Sequence, residues 1–322
     1  MKSKCVLTMT LLFASIAVGP TAGEPAKASD AIDSVLRQEF DLAGKRSLEP
    51  HAYDVETNIV TYAEDGAQTN VEKYKLRLMC RPGNRSTGET ATSTCTRVTV
   101  QKGDSAEVSV PAFEGWSYPF TMAHRSFDEQ GQAYGIPHAK FEQLTDSRGE
   151  MLPPEVAYQI YSLFLFFHDF THGLTSGETR EDSALRDLKT IGQQISVEDI
   201  AGSEFPLNFG SYCTEGSFKI NGLTLQFKGV GLAGGTPCAI LGFDSTGMLT
   251  MFLTPMPDVR AKAVGRSHMR GEVYLDLASK WEKHVSMLLT DIVKTAVGDQ
   301  YVGHFVIETA LTIRAVGKIE KF

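Results

Sequence analysis

The chain has 322 residues, 42% of them hydrophobic and 22% charged, which is ordinary for a folded protein and long enough for one or two sizeable cores. Its formal net charge is −8 at pH 7. An acidic balance argues against nucleic acid and anionic membrane surfaces as partners, because both attract lysine and arginine. We therefore expect no nucleic-acid partner.

The first 28 residues have the layout of a secretory signal peptide. Lys2 and Lys4 precede an apolar run from Val6 to Val18, and small residues that offer cleavage points follow it. The run is too short for a membrane span, which needs about 20 apolar residues. We expect residues 1–28 to be removed, and the mature protein to be exported to the periplasm or the extracellular space without a transmembrane span.

Residues 29–175 are expected to form a β-rich region that ends in one long helix. Apolar and polar residues alternate in short runs that are separated by turn residues, which is the pattern of half-buried strands. The predicted strands of this region are Val55–Ala63, Val71–Cys80, Cys95–Val100 and Ala106–Val110.

The helix is predicted over about residues 154–172. Pro153 and Pro154 open it, Glu155 favours its positive N-terminus, and Gly173 ends it. Its aromatic residues are unusually many: Tyr158, Tyr161, Phe164, Phe166, Phe167 and Phe170. A helix that is apolar on most sides must be buried, and we expect it to pack across a sheet.

A polar link over residues 176–194 is expected to lead into an antiparallel β region over residues 195–322. Asn221-Gly222 and the segment 244–247 predict two hairpin turns. The long strands predicted near the end are Val264–Leu277, Trp281–Val293 and Tyr301–Ala315. The whole pattern indicates an α+β fold, mostly antiparallel β, with one or more curved sheets packed around one long, central, aromatic-rich helix.

One face of the predicted strand Val264–Leu277 carries charges of both signs. Its members are Arg266, His268, Arg270, Glu272 and Asp276. Such a stripe is typical of a solvated sheet face with cross-strand pairs, and it can also form the rim of a groove for an anionic ligand. The solvated face is the interpretation that the near balance of signs favours.

Four cysteines follow the predicted signal peptide, and an even number in an exported protein suggests two disulfides. Cys80 and Cys95 flank one loop, and a bridge between them would close about 15 residues and contribute about 3 kcal/mol. Cys213 and Cys238 form the second predicted pair. The predicted turns place one strand between them, so this bridge requires Cys213 to lie off the sheet.

His168 and His172 are the candidate metal ligands. Their spacing of four residues puts both imidazoles on one face of the predicted helix, where they can share an ion. A glutamate does not follow the first histidine as it does in zinc proteases, and the sequence identifies no third ligand. The alternative is a pair of half-buried histidines that bond to backbone or carboxylate groups.

The sequence carries no motif that defines a reaction, and we expect no cofactor. The favoured hypothesis is an exported, non-catalytic binding or carrier protein for an apolar or lipid-like ligand, based on the aromatic helix. The alternatives are a metal-dependent enzyme that uses His168 and His172, or a structural or protein-interaction module that uses an exposed sheet face.

Overall fold

The structure is a computed structural model that describes residues 37–83, 90–120, 132–175, 183–198, 201–207, 212–256, 259–298 and 300–317. The predicted signal peptide and part of the predicted polar link lie outside these ranges. Residues 38–322 form one compact unit, and only this unit is described below.

Twelve strands in the described part of the chain form one antiparallel sheet. Their bounds are β1 His51–Tyr62, β2 Gln68–Arg81, β3 Thr92–Lys102, β4 Val108–Ser109, β5 Ser117–Pro119, β6 Gln194–Ser196, β7 Glu204–Pro206, β8 Cys213–Ala233, β9 Thr236–Met256, β10 Val259–Asp276, β11 Glu282–Val297 and β12 Gln300–Val316. The order across the sheet is β4-β3-β2-β1-β12-β11-β10-β9-β8-β6, with β5 beside β3 and β7 beside β8.

The sheet joins the two predicted β regions. Neighbouring strands mostly follow one another in the chain, as expected for hairpins, but β1 pairs with β12 along most of its length. The regions 29–175 and 195–322 therefore contribute to one sheet, and the mostly antiparallel β fold with one long helix is confirmed.

Both predicted hairpin turns of the C-terminal region are wrong. Strand β8 passes straight through Asn221-Gly222, where the register shifts, so these residues form a bulge in a long strand. Strand β9 likewise continues through Asp244, which faces solvent and contacts His268 at 2.9 Å. The actual turn between β8 and β9 lies at Gly234-Gly235, whose φ angles of 56° and 81° suit a two-residue hairpin loop.

The helix α1 runs over Pro154–His168 and continues as a single π-helical turn, Asp169–Gly173. This agrees with the predicted helix at 154–172. Tyr53 of β1 contacts the ring of Phe167 with centroids 5.3 Å apart, and Phe243 of β9 contacts Phe170 at 5.0 Å. These contacts define a helix-bearing face of the sheet, and the opposite side is called the outer face.

Two shorter helical segments, Pro111–Phe113 and His138–Phe141, are 3₁₀ helices beside α1. Phe113 and Phe141 both contact Phe164, which extends the aromatic core around the helix. Among the described helices, none has the length and hydrophobicity needed to cross a membrane.

Candidate functional site

A buried polar cluster lies where the C-terminal end of α1 meets the start of β11. Arg46, in the segment before β1, donates to the backbone oxygen of Thr171, to Oγ1 of Thr175 at 2.7 Å and to the carboxylate of Glu282. The carbonyls at the end of a helix lack partners within the helix and carry partial negative charge. The Arg46 guanidinium therefore donates to a carbonyl at the helix end and at the same time neutralises the Glu282 carboxylate.

Burial makes this cluster energetically important. The Arg46 side chain is 8% exposed and that of Glu282 is fully buried, and the guanidinium also stacks 4.4 Å from the ring of Trp281. Desolvation raises the pKa of Glu282, against the lowering effect of Arg46. An ion pair out of water is stable only while both members and their hydrogen bonds remain. The cluster thus fastens three distant segments of the chain together.

His168 and His172 lie side by side, as predicted, with ring centroids 5.1 Å apart. Both are fully buried, and desolvation is the main cause that lowers the pKa of His168 to about 3 and that of His172 well below its ordinary value. His168 Nε2 is 2.6 Å from the hydroxyl of Tyr118. Arg46 lies 3.3 Å from Nδ1 of His172, and because arginine only donates, Nδ1 accepts and the ring proton sits on Nε2.

These contacts do not favour a cation. The positive charge of Arg46 lies beside His172 and opposes a metal ion there. Within the described residues, no group of three His, Cys, Asp or Glu side chains has the arrangement of a metal site. The metal site at His168 and His172 therefore stays a prediction, and the geometry supports a structural role for the pair.

All four described cysteines are buried free thiols, so the predicted bridges are absent from the structure. Cys80 lies opposite Ser93, two residues from Cys95 in the register, which separates their Cα atoms by about 8 Å. Disulfides need less than about 7 Å. Cys238 lies opposite Gly231, about 60 Å along β8 from Cys213, because β8 is one long strand. The geometry excludes the second bridge.

The helix-bearing face also carries apolar side chains that are only partly covered. We call them the apolar shelf, and its members are Leu249, Met269, Leu289, Phe305 and Ile307, from β9 to β12. A cavity of about 30 Å³ lies beside Met269, between Phe166 and Phe170 of the helix region and Phe243 of the sheet. It has room for a water molecule rather than for a lipid chain.

Asp291 interrupts the apolar shelf. It lies on β11 between Leu289 and Val293 in phase with them, and opposite Ile307 on β12. Ser267 Oγ donates to its carboxylate, yet desolvation prevails and raises the pKa of Asp291 to about 6. A carboxyl group that is half-buried among apolar side chains is a typical polar contact of a ligand site.

The outer face holds a broad open groove of about 780 Å³ across β8 to β12. Its lining includes the ion pair of Lys228 and Glu272, at 2.9 Å, and the exposed Asp244 beside His268. The predicted solvated stripe on β10 is confirmed for Arg266, His268, Arg270 and Glu272. Asp276, at the end of β10, is buried instead, and its carboxylate accepts hydrogen bonds from Ala278 and Ser279 in the turn that follows.

Comparisons with known proteins add little to this geometry. No known family and no curated protein matches the chain. Among solved structures, the chain is similar to lipovitellin, from a structure that describes lipid–protein interactions in that protein. The two are 13% identical, with a TM-score of 0.34, and the match covers 86% of this chain and 27% of that chain. This chain thus spans about a quarter of the lipovitellin chain.

Two further solved structures are also similar to parts of the chain. A mutant porin of Rh. blastica has 6% identity and a TM-score of 0.19, over 83% of this chain and all of that one. OpdK of Pseudomonas aeruginosa, solved with vanillate, has 5% identity and a TM-score of 0.20, over 84% of this chain and all of that one. At these TM-scores the likeness defines no family, and function has to be argued from the site.

Sequence reasoning missed Arg46, Glu282 and Asp291. Arg46 and Glu282 are 236 positions apart, and neither stands in a recognisable motif. Asp291 did leave a signal, because it occupies an apolar phase of the alternating strand β11.

Proposed function

We propose that the protein is an exported, non-catalytic binding or carrier protein for an apolar, lipid-like ligand. The apolar shelf is the observation that carries this proposal. Its five side chains lie on the face that should be buried, yet each keeps part of its surface exposed. Covering apolar surface contributes about 25 cal/mol per Å², so a row of such side chains favours an apolar occupant.

We also propose that the sheet curves around α1, as the sequence predicts. Gly247 and Gly265 lie on the helix-bearing face, next to the apolar shelf. A Cβ atom at Gly265 would come within 2.7 Å of the backbone oxygen of Ile292, and one at Gly247 would meet the ring of Phe218 at 2.5 Å. Glycines that neighbouring strands approach this closely often mark a bend in a strand. Their position on the helix-bearing face supports a sheet that is concave toward the helix.

Asp291 indicates the kind of ligand. Binding sites for small molecules combine apolar walls with a few polar groups that fix orientation. The Asp291 carboxyl, with its pKa raised to about 6, accepts a hydrogen bond when ionised and donates one when protonated. We therefore propose an amphiphile whose tail covers the apolar shelf and whose hydroxyl or amine group contacts Asp291.

The test is a titration of the purified protein with a dansyl-labelled fatty acid, followed by displacement with lysophospholipid. Leu289→Gln should weaken binding at least tenfold, because it places an amide on the apolar shelf. Leu288→Gln is the matched control, since Leu288 is the neighbouring residue on the outer face of the same strand. Equal affinities of the two variants, or no fluorescence change for the wild-type protein, would refute the proposal.

The metal-dependent enzyme is the weaker alternative. Its candidate ligands are fully buried and already contact Tyr118 and Arg46. Metal analysis of protein purified without added metal addresses it directly. Stoichiometric zinc that is lost in His172→Ala would revive the enzyme hypothesis.

A further inference from the structure

The outer face has two halves with different chemistry. In the half near β1 and β2, several cations are paired with carboxylates, as in Arg77 with Asp54 at 2.6 Å and Lys75 with Glu107 at 2.6 Å. The far ends of β9, β10 and β11 differ. We call this region the basic-apolar patch, and its members are Met248, Phe252, Arg260, Lys262, Val264, Arg266, Ile292 and Lys294.

The cations of the patch have no anionic partners in the part of the chain that the structure describes. The pairing register places Arg266 between Met248 and Ile292, and Val264 beside Lys294. No carboxylate shares the outer face of these segments within the described residues. Carboxylates occur around them, at Glu215 opposite Phe252, at Glu308 opposite Thr290, and at Glu64, which accepts a hydrogen bond from Tyr301. Four such cations on one surface are unusual for a chain of net charge −8.

The apolar members of the patch are unusually exposed. Ile292 is 56%, Met248 46% and Phe252 38% exposed, although each belongs to a regular strand. Lys262 lies 5.4 Å from the centre of the Phe252 ring, so charged and apolar groups are interleaved rather than segregated. Contiguous exposed apolar side chains in a sheet mark an interaction surface.

We propose that the basic-apolar patch docks the protein onto the surface of an anionic phospholipid bilayer. Lysine and arginine near such a surface are attracted to its negative headgroups, and apolar side chains beside them enter the boundary with the acyl chains. Nucleic acid would satisfy the cations, but it offers no partner for aliphatic side chains such as Ile292 and Met248. The acidic remainder of the chain is repelled by the bilayer and orients the patch toward it.

Co-sedimentation with vesicles tests this surface. We expect the protein to bind vesicles made of equal parts of phosphatidylcholine and phosphatidylglycerol, and to bind pure phosphatidylcholine vesicles much less. Binding should fall with added salt, because screening weakens exposed charges. Equal binding to both vesicle types, or no binding to either, would overturn the proposal.

Paired variants locate the contact. Lys262→Ser with Lys294→Ser should lower the vesicle partition coefficient by about fivefold for each cation removed. Lys73→Ser with Lys75→Ser removes the same charge from the outer face at β2 and should have much less effect. If both double variants lose binding equally, the attraction is not located at the patch and the proposal fails.

The apolar contribution has its own readout. Ile292→Ser with Met248→Ser should weaken binding while leaving its salt dependence unchanged, whereas the lysine variants should reduce that dependence. Circular dichroism confirms that each variant is folded. Binding of acidic protein or RNA at the patch without vesicle binding would assign the surface to another partner. Leu289→Gln should bind vesicles normally, so failure of the carrier proposal remains distinguishable.

Discussion

The two ends of the helix-bearing face are built on opposite principles. Beside Trp281, the polar groups of Arg46 and Glu282 are buried and paired. About 30 Å further along β11, Asp291 lies half-buried among apolar side chains that are themselves partly exposed. The first end maximises contacts within the chain, while the second leaves surface for something else. Residues that maintain the fold are thus separated from residues available for binding.

The largest effect is expected at the buried pair. Arg46→Met leaves the Glu282 carboxylate without its cation and removes the donor to the end of α1, so the free energy of unfolding should fall by about 3–5 kcal/mol in urea denaturation. Adding Glu282→Leu should recover part of the loss, because the unpaired charge is then gone. Lys75→Met breaks the exposed pair with Glu107 and should change stability by less than about 1 kcal/mol. Similar losses in the two single variants would mean that burial does not distinguish these pairs.

A comparable loss is expected in the aromatic core, and a smaller one on the apolar shelf. Phe167 is fully buried against Tyr53, and Phe167→Ala should destabilise the protein by about 3–5 kcal/mol. Leu289→Ala removes side-chain surface that is already partly wet and should cost about 1 kcal/mol. If Phe167→Ala kept its stability but lost ligand, the helix would be part of the binding site rather than of the core.

Local patterns in the sequence predicted most of the elements. The aromatic periodicity and the prolines located α1 closely, and alternation located the three last strands to within a few residues. Alternation also works for the outer face of β10, where Arg266, His268 and Arg270 all point to solvent. These signals succeed because helix and strand periodicities are properties of neighbouring residues.

Tertiary pairing explains the failures. Asn221-Gly222 has the composition of a turn, but hydrogen bonds from β9 hold it inside a long strand as a bulge. That single misreading also made the bridge between Cys213 and Cys238 conceivable. Arg46 and Glu282 are far apart in the chain and meet in a sheet in which the pairing of β1 with β12 joins the N-terminal and C-terminal strands. The net charge of the chain likewise hides the basic-apolar patch, since it averages over surfaces that the fold separates.

Acid should destabilise the protein through the buried histidines at the end of the helix-bearing face beside Trp281. The pKa of His168 is lowered from 6.5 to about 3 by burial, so the unfolded chain takes up a proton below pH 6.5 while the folded protein does not. The stabilising contribution of the neutral His168 is therefore complete above pH 6.5 and is lost as the pH falls toward 3. Between pH 7 and pH 5 this residue alone should remove about 2 kcal/mol, and His172 acts in the same direction. The measurement is made on Asp291→Asn, because residue 291 then does not titrate in this range; a free energy of unfolding that does not change would show that the imidazoles are solvated.

At the other end of the helix-bearing face, Asp291 should make the free energy of unfolding respond to pH in the opposite direction. Burial raises the pKa of Asp291 from 3.8 to about 6, so the folded protein holds this proton more tightly than the unfolded chain. The stabilising effect is complete below pH 3.8 and is lost as the pH rises through 6. Asp291→Asn keeps the shape and the acceptor for Ser267 but cannot ionise. It should match the wild-type protein near pH 3.5 and exceed it by about 2 kcal/mol at pH 8, a value reduced for the partial exposure of the carboxyl.

Ligand binding explains why a residue at position 291 that lowers stability at pH 8 is present. A carboxyl group that destabilises the protein at neutral pH is retained without benefit to the fold, which is the pattern of a residue that serves binding. Asp291→Asn should therefore be more stable than the wild-type protein at pH 8 and bind the amphiphile more weakly in the dansyl titration. A variant that gains stability and keeps full affinity would limit recognition to the apolar side chains of the shelf. One that loses stability at pH 8 would show instead that the ionised carboxylate supports the fold, as the buried pair does at the other end.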